Sequence, residues 1–297
     1  MTPRRRRPDL LFDAIPSRPG GWDHGWVGTV DVDGIRIAFT RAGRGRPIVL
    51  LGGFVGDGAG TWHHQIDALS GSYTVVSWDP PGSGGSSDVP ESFRLPDYAT
   101  CLAGLISALG LERPVLLGLS FGGALALEYW RHPDAQVRGL VLAGAYAGWA
   151  GSLPADTVAS RLRTCLAASL LPASEFASKL VPSMFSPGAP ADVVAEVRDN
   201  IAATFRPGGF RAMARSSAEA DLRDILPLID VPTVVLHGEA DVRAPRFVAD
   251  ALCAAIPGSR LVVLPGVGHV SCIEDSERFT TELDTFLRGL ERRRSGS

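Results

Sequence analysis

Val115-Leu-Leu-Gly-Leu-Ser120-Phe-Gly-Gly-Ala-Leu-Ala-Leu127 sets one hydroxyl in the middle of an apolar, glycine-rich run. Its first part reads as a strand buried on both faces and its second as a helix, Phe121 to Trp130. A residue at the tip of such a strand–turn–helix elbow takes a strained backbone conformation. Residues two positions away must be small, because strand and helix converge there. Gly118, Gly122, Gly123 and Ala124 meet that demand. Ser120 is then either a plain helix cap or a nucleophile held at the positive end of a helix dipole.

Outward from the elbow, the same short apolar runs recur. Pro47–Leu51, Tyr73–Trp78, Leu140–Leu142, Thr233–Leu236 and Leu261–Leu264 read as buried strands. Helical periods lie between or after them at Thr61–Leu69, Pro96–Leu109, Pro245–Ala255 and Glu277–Leu290. Upstream, Gly28–Val32 and Ile35–Phe39 alternate apolar and polar residues around Asp33-Gly34, a strong hairpin signal. The pattern predicts an α/β architecture: a mostly parallel, eight-stranded sheet with helices on both faces. Between Ala147 and Ala220 no strand-like run occurs. Four helical segments are read there instead, Pro154–Leu171, Ala173–Phe185, Pro190–Phe205 and Gly209–Ala218. An insertion after a strand of an open sheet falls at the carboxyl edge, where ligands bind. The expected organisation is a flexible arm over 1–27, a core over 28–147 and 221–297, and a helical cap over 148–220.

Composition narrows the function. The chain has 297 residues, 45% of them hydrophobic, with a formal net charge of -3, so no global basic field draws it to nucleic acid. Arg4–Arg7 and Arg292–Arg294 read as solvated terminal runs. No apolar stretch is long enough for an export signal or a membrane span, which leads us to expect a soluble, cytoplasmic protein without a membrane partner. Cys101, Cys165, Cys253 and Cys272 are scattered and predict free, mostly buried thiols. No metal-ligand spacing and no dinucleotide fingerprint appear, so no metal or organic cofactor is expected. The oligomeric state is left open.

A nucleophilic serine needs a base, and the base needs an orienting acid. His269 follows the final strand on a glycine-bearing loop, and Asp241 lies on the loop after the strand Thr233–Leu236. Glu239 is the alternative acid. His237 is the rival base, but it would break the order nucleophile–acid–base and reads as a satisfied structural histidine. The loop after Leu140 holds no Asp or Glu. Ser120, Asp241 and His269 form the one ordered set that puts all three groups at strand carboxyl ends.

With those residues in place, the chain resembles the α/β-hydrolase superfamily from about Gly28 to Leu290. Leu50-Leu-Gly-Gly-Phe54 resembles the oxyanion strand end of that family, and Trp78-Asp-Pro-Pro-Gly-Ser-Gly-Gly-Ser86 the turn that follows. His237-Gly-Glu-Ala-Asp241 resembles the acid loop, and Gly268-His269 through Glu274 and Phe279 the terminal histidine loop. The capped members, including enol-lactonases, carboxylesterases and biphenyl-hydrolase-like hydrolases, match best. The family often has His-Gly where this chain has Gly52-Gly53. The resemblance implies a cofactor-free serine hydrolase acting on a small-molecule ester or lactone, with Phe54 and Phe121 supplying oxyanion-hole amides. Asp79 would stabilise its own turn.

Serine at the elbow argues against an aspartate-nucleophile dehalogenase or epoxide hydrolase. Cleavage of amides or carbon–carbon bonds, cyclisation, and a non-catalytic ligand-binding role stay open. Trp149, Met184 and Phe185 of the cap are the expected substrate contacts. The cap's other large side chains predict a largely apolar site that favours uncharged or weakly charged small esters or lactones over matched substrates carrying extra charge near the acyl group.

Overall fold

The computed structural model describes residues 10–14 and 25–292. Its strands are β1 (Leu10–Ala14), β2 (Gly25–Val32), β3 (Ile35–Ala42), β4 (Arg46–Leu51), β5 (Tyr73–Trp78), β6 (Val115–Leu119), β7 (Gly139–Ala143), β8 (Thr233–Gly238) and β9 (Arg260–Leu264). They form one sheet in the order β1-β2-β3-β5-β4-β6-β7-β8-β9. Pairing is parallel from β5 through β9 and antiparallel among β1, β2, β3 and β5. Asp33 and Gly34 both take positive φ, 52° and 86°, as a two-residue turn with Val32 opposite Ile35 requires.

The eight strands β2–β9 are those the sequence predicts; β1 is a ninth, at the antiparallel edge. The segment read as an arm is therefore partly sheet: Leu10–Ala14 pairs with β2, and β2 itself begins at Gly25. An open edge offers unpaired backbone groups, and a five-residue segment suffices to pair them. The rest of the arm, with Arg4–Arg7, and also Arg293 and Arg294, lie outside the described residues.

The helices are α1 (Gly58–Leu69), α2 (Leu95–Ala108), α3 (Phe121–Arg131), α4 (Ala155–Ala168), α5 (Ala173–Leu180), α6 (Ala191–Thr204), α7 (Pro207–Glu219), α8 (Arg246–Ala255), α9 (Ser271–Glu274) and α10 (Ser276–Arg292). Side chains of the central strands alternate between two cores. Val49, Leu51 and Leu116 face a layer with α2, α3 and α8, while Ile48, Leu50, Val115 and Leu117 face one with α1 and α10. Both faces are thus covered, which explains why these strands read as continuous apolar runs.

Helices α4–α7 fill the interval between β7 and β8. The helix expected over Ala173–Phe185 stops at Leu180 and continues as a 3-10 turn, Val181–Ser183. Pro182 has no N–H to donate and cannot carry the α-helical pattern onward. The four thiols are free, and burial pushes those of Cys101 and Cys272 up to about 12, so they stay protonated. Among the described residues, no helix is long and apolar enough to cross a membrane.

Candidate active site

Ser120 joins β6 to α3 with φ 55° and ψ −111°, a conformation that costs a non-glycine residue about 1–3 kcal/mol. The neighbours hold it there. The Ser120 N–H donates to the Ala143 carbonyl at 2.8 Å, and the Gly123 N–H donates back to the Ser120 carbonyl at 3.0 Å. Glycine is required on both sides. A Cβ on Gly118 would overlap the backbone of Gly122, and one on Gly122 would lie 2.6 Å from the Leu51 carbonyl carbon.

His269 and Asp241 meet at the carboxyl ends of β9 and β8. The His269 Nδ1 and Asp241 Oδ2 are 2.7 Å apart, with both side chains buried. The other carboxylate oxygen, Oδ1, accepts from the backbone N–H groups of Arg243 at 2.8 Å and Ala244 at 2.9 Å. Burial alone would raise the Asp241 pKa, but the His269 ring and these two amides outweigh it, and the group is held below the usual carboxylate range. Gly144, at φ 50°, leaves the pair its space: a Cβ there would stand 3.0 Å from His269 Nδ1.

The histidine loop is fastened from two sides. The N–H groups of His269 and Val270 donate to the Met184 carbonyl at 2.9 and 3.1 Å. Glu274 accepts from Gly268 at 2.9 Å and from Ser186 at 3.2 Å, so one carboxylate ties the loop to the insertion. Met184 can serve because the chain has left the α-helix at Leu180, just upstream.

Ser120 and His269 line one cavity of about 350 Å³, at the small end of the usual range for ligand pockets. Phe54, Leu119, Met184, Ile201 and Phe210 give it apolar walls. The Phe54 ring packs at 5.5 Å from Phe121 and 5.9 Å from Phe210. Gly53 brings backbone beside Ser120, whose Cβ is 3.9 Å from where a Gly53 Cβ would stand. Asp57, His63, Glu196, Asn200 and Arg243 are polar members of the lining. A wider groove at the opposite edge of the sheet, lined by Arg46, Thr74, Glu112 and Pro232 among others, holds none of the candidate residues.

The model of the family described as alpha/beta hydrolase fold matches residues 46–276. The chain is an α/β hydrolase. It is 29% identical over 265 residues to the serine hydrolase BPHL of Mus musculus, covering 87% of this chain and 85% of that one. A thermophilic esterase from Thermogutta terrifontis superposes with a TM-score of 0.79 at 30% identity, over 88% of this chain and 97% of the other. The enol-lactonase from Burkholderia xenovorans gives 0.75 at 26% identity, over 88% and 99%.

Within this hydrolase several expected roles change. Trp149 and Phe185 are not among the cavity-lining residues, whereas Met184 is. Trp149 stands edge-on behind Phe54 at 5.6 Å, in a cluster with Tyr146, Leu153 and Val248. Phe185 is buried in the core, with its backbone against Gly268. Glu239 accepts from the Gly266 N–H at 2.9 Å and so braces the loop ahead of His269. His237 is buried on β8 as expected, yet neither ring nitrogen has a hydrogen-bond partner among the described residues; burial lowers its pKa. Asp79 bridges two loops, accepting from Gly85 in its own turn and from Gly58 at the start of α1, both at 2.8 Å.

Sequence reasoning passed over Arg243, Met184's carbonyl and Gly144. The signal for Arg243 lay two residues beyond Asp241, in the acid loop rather than in the cap. The other two act through backbone position, which residue type does not announce.

Proposed function

We propose that this hydrolase cleaves an ester or lactone bond of a small, largely apolar metabolite through an acyl-enzyme. One observation carries the reading. A serine strained at the amino end of α3 shares a small cavity with a histidine whose other ring nitrogen is bound to a buried carboxylate.

Ser120 attacks the substrate carbonyl while His269 takes its proton through Nε2. Asp241 keeps the ring in the tautomer with the proton on Nδ1 and stabilises the imidazolium that forms. The amides of Phe54 and Phe121 receive the developing oxyanion; removing one such donor typically costs about 3 kcal/mol. His269 returns the proton to the leaving oxygen. Water, activated by the same imidazole, then releases the acid. No metal or organic cofactor takes part.

A fluorophosphonate probe followed by peptide mass spectrometry tests this directly. Label should appear on Ser120, and Ser120→Ala should lose both label and turnover while keeping the wild-type melting transition. Labelling at another serine, with Ser120→Ala still active, would remove the nucleophile from this site. Turnover that disappears in a strong chelator and returns with a divalent ion would overturn the cofactor-free mechanism.

A further inference from the structure

Arg243 is part-buried, lines the cavity that holds Ser120 and His269, and forms no ion pair among the described residues. Its Nη1 donates to Ser183 Oγ at 2.9 Å, and that hydroxyl in turn donates to the Leu180 carbonyl at 2.7 Å. The nearby acid, Asp241, makes no hydrogen bond or ion pair with the guanidinium among the described residues. Asp241 has one oxygen on His269 and the other on two amides, one of them the N–H of Arg243 itself. The two acids of the lining, Asp57 and Glu196, come from the α1–α6 side. Asp57 caps α1 through the Gly60 N–H at 2.6 Å, and Glu196 stands 3.8 Å from His63 Nε2.

The Asp241 carboxylate acts on Arg243 through its charge without a direct contact, and the surroundings also hold a second cation. Arg161 donates to the Tyr146 hydroxyl at 2.8 Å and lies over the Tyr146 and Trp149 rings, at 5.7 and 5.3 Å from their centroids. The same Tyr146 hydroxyl donates to the Arg243 carbonyl. Burial, foremost, holds the Arg243 guanidinium below its usual range, as expected for a cation without a counter-ion. Arginine nevertheless stays protonated in proteins. A guanidinium has five N–H donors in a planar fork, and a carboxylate is the group that matches it. Charged side chains are rarely buried unless paired, so a cation facing a ligand cavity without a carboxylate of its own is matched by one on the ligand.

We propose that Arg243 is the specificity-determining residue of the site, receiving a carboxylate carried by the substrate away from the scissile bond. This rests on the ester or lactone reading above and narrows it: the substrate is a small monoacid with an apolar body. Hydrolysis of an ester whose acyl part carries that carboxylate gives a dicarboxylate and an alcohol, and a lactone that carries it opens to a hydroxy dicarboxylate. The cation enters from the loop after β8, not from the insertion. The expectation of uncharged or weakly charged substrates, drawn from the insertion's side chains alone, is thereby narrowed to one carboxylate held away from the acyl group.

The test compares monoethyl succinate, glutarate and adipate with the ethyl esters of the matching terminal carboxamides. The readout is the acid-to-amide ratio of kcat/KM, in which any loss of active enzyme cancels. Wild type should favour the acid at one of the three lengths. Arg243→Met should lower that ratio by at least about 30-fold, the scale for removing one partner of a buried charge pair. Arg243→Lys, which keeps the charge, should retain most of it; a merely structural arginine would not show that rescue. A ratio unchanged in Arg243→Met, or an amide preferred at every length, overturns the proposal. Calorimetric binding of the free dicarboxylates to wild type and Arg243→Met reads the same site without turnover. If no ester is cleaved but dicarboxylate binding depends on Arg243, the hydrolytic reading fails and the carboxylate site stands. If binding is also indifferent to Arg243, the site falls.

Discussion

At the scale of the residue, Asp241 and Glu239 show how two carboxylates on one loop divide their duties. Asp241 faces the His269 ring and Glu239 the Gly266 amide. Asp241→Asn should lower turnover by about 10⁴, the cost of replacing the acid by its amide in a serine triad. Glu239→Gln, which can still accept from Gly266, should cost far less; equal losses would move the orienting role to Glu239. Asp241 also links stability to pH. Its folded pKa is depressed, so its contribution is complete above the unfolded value of about 3.9 and is lost as pH falls from there through the folded value. The stability gap between wild type and Asp241→Asn should hold constant from pH 5 to 7 and narrow below about pH 4. A gap that widens on acidification would mean that the carboxylate is not held ionised in the folded state. Ser120, Asp241 and His269 could be singled out in the sequence because the choice depends on residue type and chain order. Arg243 was not, since an arginine in a loop is ordinarily solvated, and only the fold shows this one facing a cavity without a carboxylate partner.

At the scale of the element, the elbow depends on absent side chains. Gly122 packs so closely on Leu51 that a methyl group must displace backbone. Gly122→Ala should destabilise the protein by about 1–3 kcal/mol or more and depress turnover, since β4 carries Gly53 and Phe54 at its end. Gly208, in the first turn of α7, has open space where a Cβ would stand. Gly208→Ala should therefore stabilise by up to about 1 kcal/mol. Thermal melts of the two variants decide the point; a Gly122→Ala protein that melts no lower than wild type would mean that the close approach at Gly122 is wrongly placed, and a lower-melting Gly208→Ala that the open space at Gly208 is. Apolar periods made most elements legible before the structure, and the Asp33-Gly34 turn followed from φ > 0 chemistry alone. Two features resisted. The end of α5 depends on one proline inside an otherwise helical period. β1 pairs with an edge whose openness only the assembled sheet reveals.

At the scale of the molecule, the insertion α4–α7 must be held against the core for the cavity to exist, because Ile201 and Phe210 form part of its wall. Several ion pairs span this junction: Arg206 with Asp88 at 2.6 Å, Arg94 with Glu219 at 2.6 Å and Arg211 with Glu91 at 2.7 Å. Each has a largely exposed acid and contributes at most about 1 kcal/mol. Packing does more. Phe176 stacks on Phe205 at 3.8 Å, and Phe210 meets both Phe176 and Phe54 edge-on, joining insertion to core. Beside them α7 touches the turn after β5, where a Cβ on Gly209 would lie 2.7 Å from the Cα of Gly82. Gly209→Ala therefore forces the helix off the turn, one residue along from the harmless Gly208→Ala. Its expected effects are a lower melting temperature, faster amide exchange confined to α6 and α7, and a kcat/KM loss that appears chiefly in KM. Labelling of Ser120 by the fluorophosphonate should persist, because the elbow and the Asp241–His269 pair belong to the core. Exchange in α6 and α7 as slow as wild type, with normal KM, would show that the contact between Gly82 and Gly209 does not hold the insertion in place.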